Sequence, residues 1–340
     1  MRDLKVVVIG GGTGTYTALT GLKHFTEDIT AVVTMADDGG SSGRLRDEFG
    51  HLPPGDVRRC LVALSADEEL AQVVRRLFEY RFDKGYGLNG HSFGNLFLTA
   101  LTELTGSTEQ AILEASKLLN VRGRVLPVTT TDVRLCADLE DDTVIWGEKN
   151  IDVRTVNPDV RIRRVFLSPR AQVYPMTAQA IREADLVVIG PGDLYTSVVP
   201  NLLVDGVPEA IRACRGARLY VCNLMTKHGE TDGFTAADFV AEVTRYLGGL
   251  GALDGMVVGT PALSPEVLES YAKEKAYPVS VDIPRCFQYV PRVFTDDLLA
   301  HGNLARHDPH KLASLVISMG DVVLAAKGEP APEAKTAMSA

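Results

Sequence analysis

An α/β fold built on a doubly wound, mostly parallel sheet is what this sequence predicts, on three observations. Short apolar runs alternate with helical patterns almost throughout, as a parallel sheet covered on both faces requires. Two glycine-rich segments follow successive strand runs: Gly10-Gly11-Gly12-Thr13-Gly14 after Lys5 to Ile9, and Ala36-Asp37-Asp38-Gly39-Gly40-Ser41-Ser42-Gly43-Arg44 after Ile29 to Met35. A third, Gly190-Pro191-Gly192-Asp193-Leu194-Tyr195-Thr196-Ser197, follows a buried run at Asp185 to Ile189 and precedes a helical stretch. Loops of this kind meet at the carboxyl edge of one sheet, where open α/β sheets bind their ligands.

The elements follow in order. The first crossover helix carries Ala18, Leu19, Leu22 and Phe25 on one stripe. A helical insertion is expected over about 57–120, after the second strand. In it Asp56 caps Val57 to Ser65; Leu70, Val73, Val74, Leu77 and Phe78 stripe a second helix; Phe93, Leu96, Phe97, Ala100, Leu101 and Leu104 stripe a third, ended by Gly106. Ser107-Thr108-Glu109-Gln110 reads as a capping box opening a fourth. A β-rich excursion over about 122–167 follows, with strand candidates Arg124 to Val128, Arg134 to Leu139, Thr143 to Trp146 and Arg161 to Leu167. Buried strands return at Arg218 to Cys222 and Met256 to Gly259, and Lys311 to Ala326 is the last helix. With no repeat and no Gly/Ser/Pro linker, residues 1–327 are expected to form one Rossmann-like domain, and 328–340 a disordered tail.

Composition narrows the function classes. In 340 residues, 35 basic and 44 acidic side chains leave a net charge of −9, which argues against a general nucleic-acid or anionic-membrane surface. Five cysteines, Cys60, Cys136, Cys214, Cys222 and Cys286, are odd in number and form no C-x-x-C pair, so free thiols in a reducing, cytoplasmic compartment are expected. No signal peptide is expected, and no run is expected to approach the roughly 18 apolar residues of a membrane span. A homo-oligomer is compatible with the sequence.

The motifs point to an anionic ligand. Glycine lets backbone approach a ligand closely, and a helix start presents unpaired N–H groups to an anion. Gly10-Gly11-Gly12-Thr13-Gly14-Thr15 carries Thr where the dinucleotide fingerprint needs its last glycine, so standard nicotinamide binding is not supported, and a bare strand-to-helix turn is the alternative. No G-x-x-x-x-G-K-[ST] loop occurs. Asp37 and Asp38 stand where a ribose or metal ligand is expected, beside Gly39, Gly40, Ser41 and Ser42; an Asp-capped helix start is the alternative. Arg58 and Arg59 occupy a first helical turn, where the macrodipole disfavours cations, which marks a candidate site for anionic oxygens together with Arg44 and Arg46. Gly90-His91-Ser92-Phe93-Gly94-Asn95-Leu96 opens the third helix of the insertion, with His91, Ser92 and above all Asn95 as candidates. Gly190, Gly192 and Asp193 repeat the loop-to-helix device, Tyr195 is a candidate for stacking on a base, and Asn223 follows the next strand. Neither a Ser-His-Asp pattern, a zinc spacing nor a hydride-transfer motif is evident.

Taken in order, these segments, with Pro54-Gly55-Asp56-Val57-Arg58 and Gly123-Arg124-Val125-Leu126-Pro127, resemble the bacterial YvcK-type gluconeogenesis factors from about Leu4 to Lys327. The wider superfamily includes the CofD-type 2-phospho-L-lactate transferases, which share the glycine-rich loops and the Asp pair. Two departures stand out: Asp193 where Ser is common, and Lys227-His228 where Gln-Pro is common. The resemblance implies a cytoplasmic protein that binds a UDP-sugar of the UDP-N-acetylglucosamine type, and it does not imply catalysis for this branch. It further implies protein partners, not identifiable from sequence, through which carbon metabolism is linked to cell-wall synthesis and cell shape. Arg306, in the family's Arg306-His307-Asp308 segment, is then a contact to the diphosphate or to a neighbouring loop.

Two functions are therefore carried forward. A ligand-sensing regulator would bind the nucleotide sugar through Gly11, Gly12, Thr13, Gly14, Asn95, Gly192 and Arg306 and require no cofactor. A CofD-like transferase would instead hold Mg²⁺ on Asp37 or Asp38 and neutralise the transferring diphosphate with Arg44 and Arg58.

Overall fold

The structure, a computed structural model, describes residues 4–66 and 69–328, the side chains of 69–71 aside. The expected tail beyond Gly328 and the side chain of Leu70 lie outside the described residues.

The chain opens with β1 (Val6–Gly10), α1 (Gly12–Leu22) and β2 (Ile29–Val33). Both strands are apolar at almost every position and wholly buried, because helices cover both faces of the sheet. Five helices follow: α2 (Gly40–Phe49), α3 (Gly55–Leu64), α4 (Glu69–Glu79), α5 (Phe93–Thr105) and α6 (Thr108–Leu118). This is the insertion expected after the second strand, and among the described residues no strand interrupts it. Ser92 and Ser107 cap α5 and α6 by accepting the N–H groups of Asn95 and Gln110, and Gly106 ends α5 in the left-handed region at φ 77°.

Then come β3 (Arg124–Pro127), β4 (Arg134–Leu139), β5 (Val144–Trp146), α7 (Glu148–Asp152) and β6 (Ile162–Ser168). After α8 (Pro175–Arg182) and β7 (Leu186–Ile189), a π turn at Leu194–Val198 runs into α9 (Val199–Leu202) and α10 (Val207–Ala213). The chain closes with β8 (Ala217–Val221), α11 (Ala236–Tyr246), β9 (Gly255–Gly259), α12 (Pro265–Lys273), α13 (Ile283–Cys286), β10 (Val293–Asp296) and α14 (Pro309–Ala326).

Seven strands form a parallel sheet in the order β10-β9-β8-β7-β1-β2-β3. Val6 pairs with Ile29 on one side and Leu186 on the other. From β1 the chain steps outward through β2 to β3, then returns and steps outward the other way from β7 to β10. The order thus reverses between β1 and β7, the topological switch point where doubly wound sheets open a crevice. A separate antiparallel sheet, β5-β4-β6, has a mostly buried central strand β4, and its edge strand β5 alternates exposed, buried, exposed.

Several sequence expectations need correction. Arg124 to Val128 does not belong to the β-rich excursion: β3 is the edge of the main sheet, Pro127 pairing with Val33, so the excursion begins at β4. β10 was not anticipated; it is a four-residue edge strand, half-buried to exposed, and offers no apolar run. Asp56 is not a helix cap, since it lies inside the first turn of α3 with Pro54 at the cap position. Val73, Leu77 and Leu104 are exposed, so the stripes of α4 and α5 are only partly covered, and Phe25 lies past the end of α1.

The five cysteines are free and buried. Against expectation, α14 is long and apolar enough to cross a membrane, with 18 residues and a mean hydropathy of 1.2. In this fold it packs along α1, with Leu312, Ala313 and Val316 buried and the Pro309 carbonyl pressed against Gly21.

Candidate functional site

The switch point holds a cleft of about 840 Å³. Its floor is the start of α1, set against the loop after β7. Gly12 has φ +67°, a conformation that side chains rarely adopt, and a Cβ at Gly14 would lie 2.6 Å from the carbonyl carbon of Pro191. Gly14 therefore permits two loops to touch rather than a ligand to approach. The Gly12 N–H donates to Asp56 Oδ1 at 3.0 Å, while Thr13 and Gly14, whose N–H groups have no acceptor within α1, line the cleft. Gly192 N–H donates to Asn223 Oδ1 at 3.2 Å, so the loops after β7 and β8 are joined across the same edge.

The cleft brings cations and carboxylates together. Arg58, Arg59 and Arg81 form a basic group. Arg58 is buried, its Nε donating to Asn95 Oδ1 at 3.0 Å, and burial followed by repulsion from Arg59 and Arg81 lowers its pKa to about 10. Burial and two neighbouring guanidiniums together weaken the hold of Arg58 on its proton, and an anion placed there would relieve the repulsion. Beside them lie Asp37, Asp56 and Glu148, with Arg59 3.5 Å from Asp56 Oδ1. Burial raises Asp37; burial and then the charge of Asp37 raise Asp56 to about 6; burial and then Asp37 raise Glu148 to about 9. Glu148 therefore carries its proton at neutral pH and can donate a hydrogen bond. His307 also lines the cleft, held neutral by burial with its pKa near 4 and with no partner for Nε2.

Of the residues singled out in the sequence, Gly12, Thr13, Gly14, Asp37, Gly39, Gly40, Ser41, Ser42, Arg58, Asn95, Gly192, Asp193, Asn223 and Arg306 line this one cleft. The others stand behind it or away from it. Gly11 is the residue before α1, packed on Asp56. Gly190 is the turn at the end of β7, at φ +76°. Ser92 caps α5. Asp38, its side chain largely covered, accepts the Lys149 N–H at 2.8 Å and lies 3.8 Å from Arg134, so it meets the antiparallel unit and does not line the cleft with Asp37. Arg44 is spent on the carbonyl of Asn89 at 3.0 Å, so its proposed phosphate role is not supported by its position. Tyr195 is buried, its hydroxyl donating to Glu242 at 3.0 Å and its ring edge-on to Phe234, and it is not placed to stack on a base.

His91 meets Ser41 Oγ at 3.0 Å through Nδ1, a Ser–His contact that the sequence did not disclose. Among the described residues no carboxylate hydrogen-bonds that ring, and burial followed by Arg44 lowers its pKa. Sequence reasoning also missed Asp56, Arg81, Glu148, Asp152 and Lys227. A usable signal existed for Asp56, since it follows Pro54-Gly55 in a motif already suspected. None existed for Glu148 and Asp152, which α7 of the antiparallel unit delivers to the cleft.

For a divalent cation, Asp37 and Asp56 are the fitting pair. Asp56 is buried and Asp37 half-buried, and burial raises both even though Arg59 lies 3.5 Å from Asp56 Oδ1 and offsets part of the rise.

A family model described as 2-phospho-L-lactate transferase CofD matches residues 6–299. The gluconeogenesis factor of Bacillus subtilis (strain 168) is 46% identical over 319 residues, 93% of this chain and 98% of that protein. A putative gluconeogenesis factor of Nostoc sp. is 46% identical over 318 residues, 93% of this chain and 68% of that one. A solved Bacillus halodurans structure, described as a member of the UPF0052 family, matches with a TM-score of 0.87 and 44% identity, covering 93% of this chain and 99% of its own. With its fold, its glycine-rich loops and these relatives in agreement, the chain belongs to the CofD (UPF0052) family, among the gluconeogenesis factors of the YvcK type.

Proposed function

We propose that this protein is a cytoplasmic sensor that binds a nucleotide sugar of the UDP-N-acetylglucosamine type in the switch-point cleft. Its occupancy is passed to protein partners that connect carbon metabolism with cell-wall synthesis and cell shape. The observation that carries this reading is a cleft at a helix start that holds both a group of arginines and hydrogen-bonding acids. Arg58, Arg59 and the start of α1 suit a diphosphate, while Asp37 and the protonated Glu148 suit neighbouring hydroxyl and amide groups. Arg306, which also lines the cleft, supports a second contact to the same ligand.

A second reading, a Mg²⁺-dependent transferase, is favoured by the Asp37–Asp56 pair and by the description of the matching family model. When bound there, Mg²⁺ would supply charge neutralisation for a leaving diphosphate. The Ser41–His91 contact does not favour covalent catalysis, because no carboxylate orients the ring as nucleophilic constellations require.

Incubation with UDP-N-acetylglucosamine and Mg²⁺, followed by chromatography of released UDP or UMP, separates the two. The sensor binds without turnover. Multiple turnovers that vanish in Asp37→Asn or Asp56→Asn protein would establish the transferase instead.

A further inference from the structure

Lys227 sits in the wall of the cleft with its ammonium enclosed by three carboxylates. It donates to Asp193 Oδ2 at 2.7 Å, hydrogen-bonds Asp152 Oδ1, and lies 3.1 Å from Glu230 Oε1. An ammonium has three donors, and here each has an acceptor. Lys227 is therefore saturated from within the protein and is not a phosphate ligand, although it lines the cleft.

The three carboxylates come from three parts of the fold: Asp152 ends α7, Asp193 belongs to the loop after β7, and Glu230 to the loop after β8. Glu230 is inaccessible to solvent. Its remaining bonds accept the Tyr195 N–H at 3.1 Å and the Thr196 hydroxyl at 3.2 Å, and so hold the π turn that closes the ligand loop. Burial would lower the Lys227 pKa, but the carboxylates overcome it and hold the ammonium charged. Oxygens of the three acids all lie within 4.8 Å of one another, a spacing that one divalent cation could bridge. The contact between Asp193 and Lys227 joins the loop after β7 directly to the loop after β8.

We propose that Lys227 is a positioning residue acting as a tethered cation: it occupies a three-carboxylate site and thereby fastens the antiparallel unit to the ligand loop. Its charge neutralises Asp193, which would otherwise oppose an anionic ligand. The cation claim stands on this geometry alone, whereas the effect on ligand affinity rests on the nucleotide-sugar reading.

The test is Mn²⁺ binding by calorimetry and electron paramagnetic resonance on wild-type and Lys227→Ala protein. Removal of the ammonium should add one bound Mn²⁺ relative to wild type, and Lys227→Ala/Asp193→Ala should lose that gain. UDP-N-acetylglucosamine affinity should fall about tenfold in Lys227→Ala and recover when Mn²⁺ is present. A folded Lys227→Ala protein with no additional Mn²⁺ would overturn the proposal. Should that variant fail to fold, the exchange Lys227→Gln/Asp193→Ser decides: its thermal midpoint should return toward wild type while each single change lowers it, and additive losses would overturn the proposal. If wild type does not bind the nucleotide sugar, it is the functional reading that falls, and the Mn²⁺ stoichiometry still decides the role of Lys227.

Discussion

Carboxylates crowded around one cleft couple the stability of this protein to pH. Asp56 with a pKa of about 6 and Glu148 of about 9 hold protons in the folded chain where the unfolded chain has released them. Groups raised in this sense stabilise the fold at low pH and lose that contribution as pH rises through the folded values. The ligand-free protein should therefore unfold at a lower temperature at pH 8 than at pH 5.5. Glu148→Gln removes the higher of these values, so it should raise the pH 8 midpoint and flatten the profile; an unaltered slope would show that Glu148 is not the proton binder. In the group of arginines, Arg58→Ala or Arg59→Ala should weaken UDP-N-acetylglucosamine by ~1.5–3 kcal/mol while leaving uridine nearly unaffected. Arg44→Ala should change neither, because its guanidinium is held on Asn89. Calorimetric titrations of the three variants check all of this. Arg58 and Asn95 were legible because they break local rules, a cation in a first turn and an Asn at a helix start. Asp56 was visible but misread as a cap, and Glu148 could not be found, since only tertiary packing brings α7 to the loops.

Among the elements, the loop after β1 owes its glycines to two different neighbours. From the sequence, Gly14 is expected to let a ligand approach the backbone closely. The contact with Pro191 argues otherwise: a branched side chain there should destabilise the protein by ~1–3 kcal/mol, because the backbone of a second loop has to move. Urea unfolding measures it, and an unchanged midpoint would contradict the close approach. The cap of α14 is a second case. Asp308 accepts the N–H groups of His310 and Lys311, both at 2.9 Å, so Asp308→Ala should cost ~1 kcal/mol of stability. Fully buried strands such as β1, β2 and β7 were legible because continuous apolar runs leave few other readings. β3 was legible as a strand but not as part of the main sheet, since nothing local tells a parallel partner from an antiparallel one. β10 was silent because an edge strand with a solvated side needs no apolar run.

On the scale of the whole molecule, the sheet order brings the ends of β2, β1, β7 and β8 side by side, and each strand end contributes a loop to one cleft. The antiparallel unit supplies the acidic wall through Glu148 and Asp152, so the cleft is a joint product of both sheets. A ligand held by both should stabilise them together, raising the thermal midpoint as its concentration exceeds its dissociation constant. The central claim is that this cleft binds a nucleotide sugar through its group of arginines. Isothermal titration of the wild-type protein with UDP-N-acetylglucosamine, repeated with Arg58→Ala, tests it most directly. The account predicts one saturable site per chain that is weakened at least ~10-fold by the substitution. Absence of saturable binding, or equal affinity in a folded Arg58→Ala protein, would contradict it.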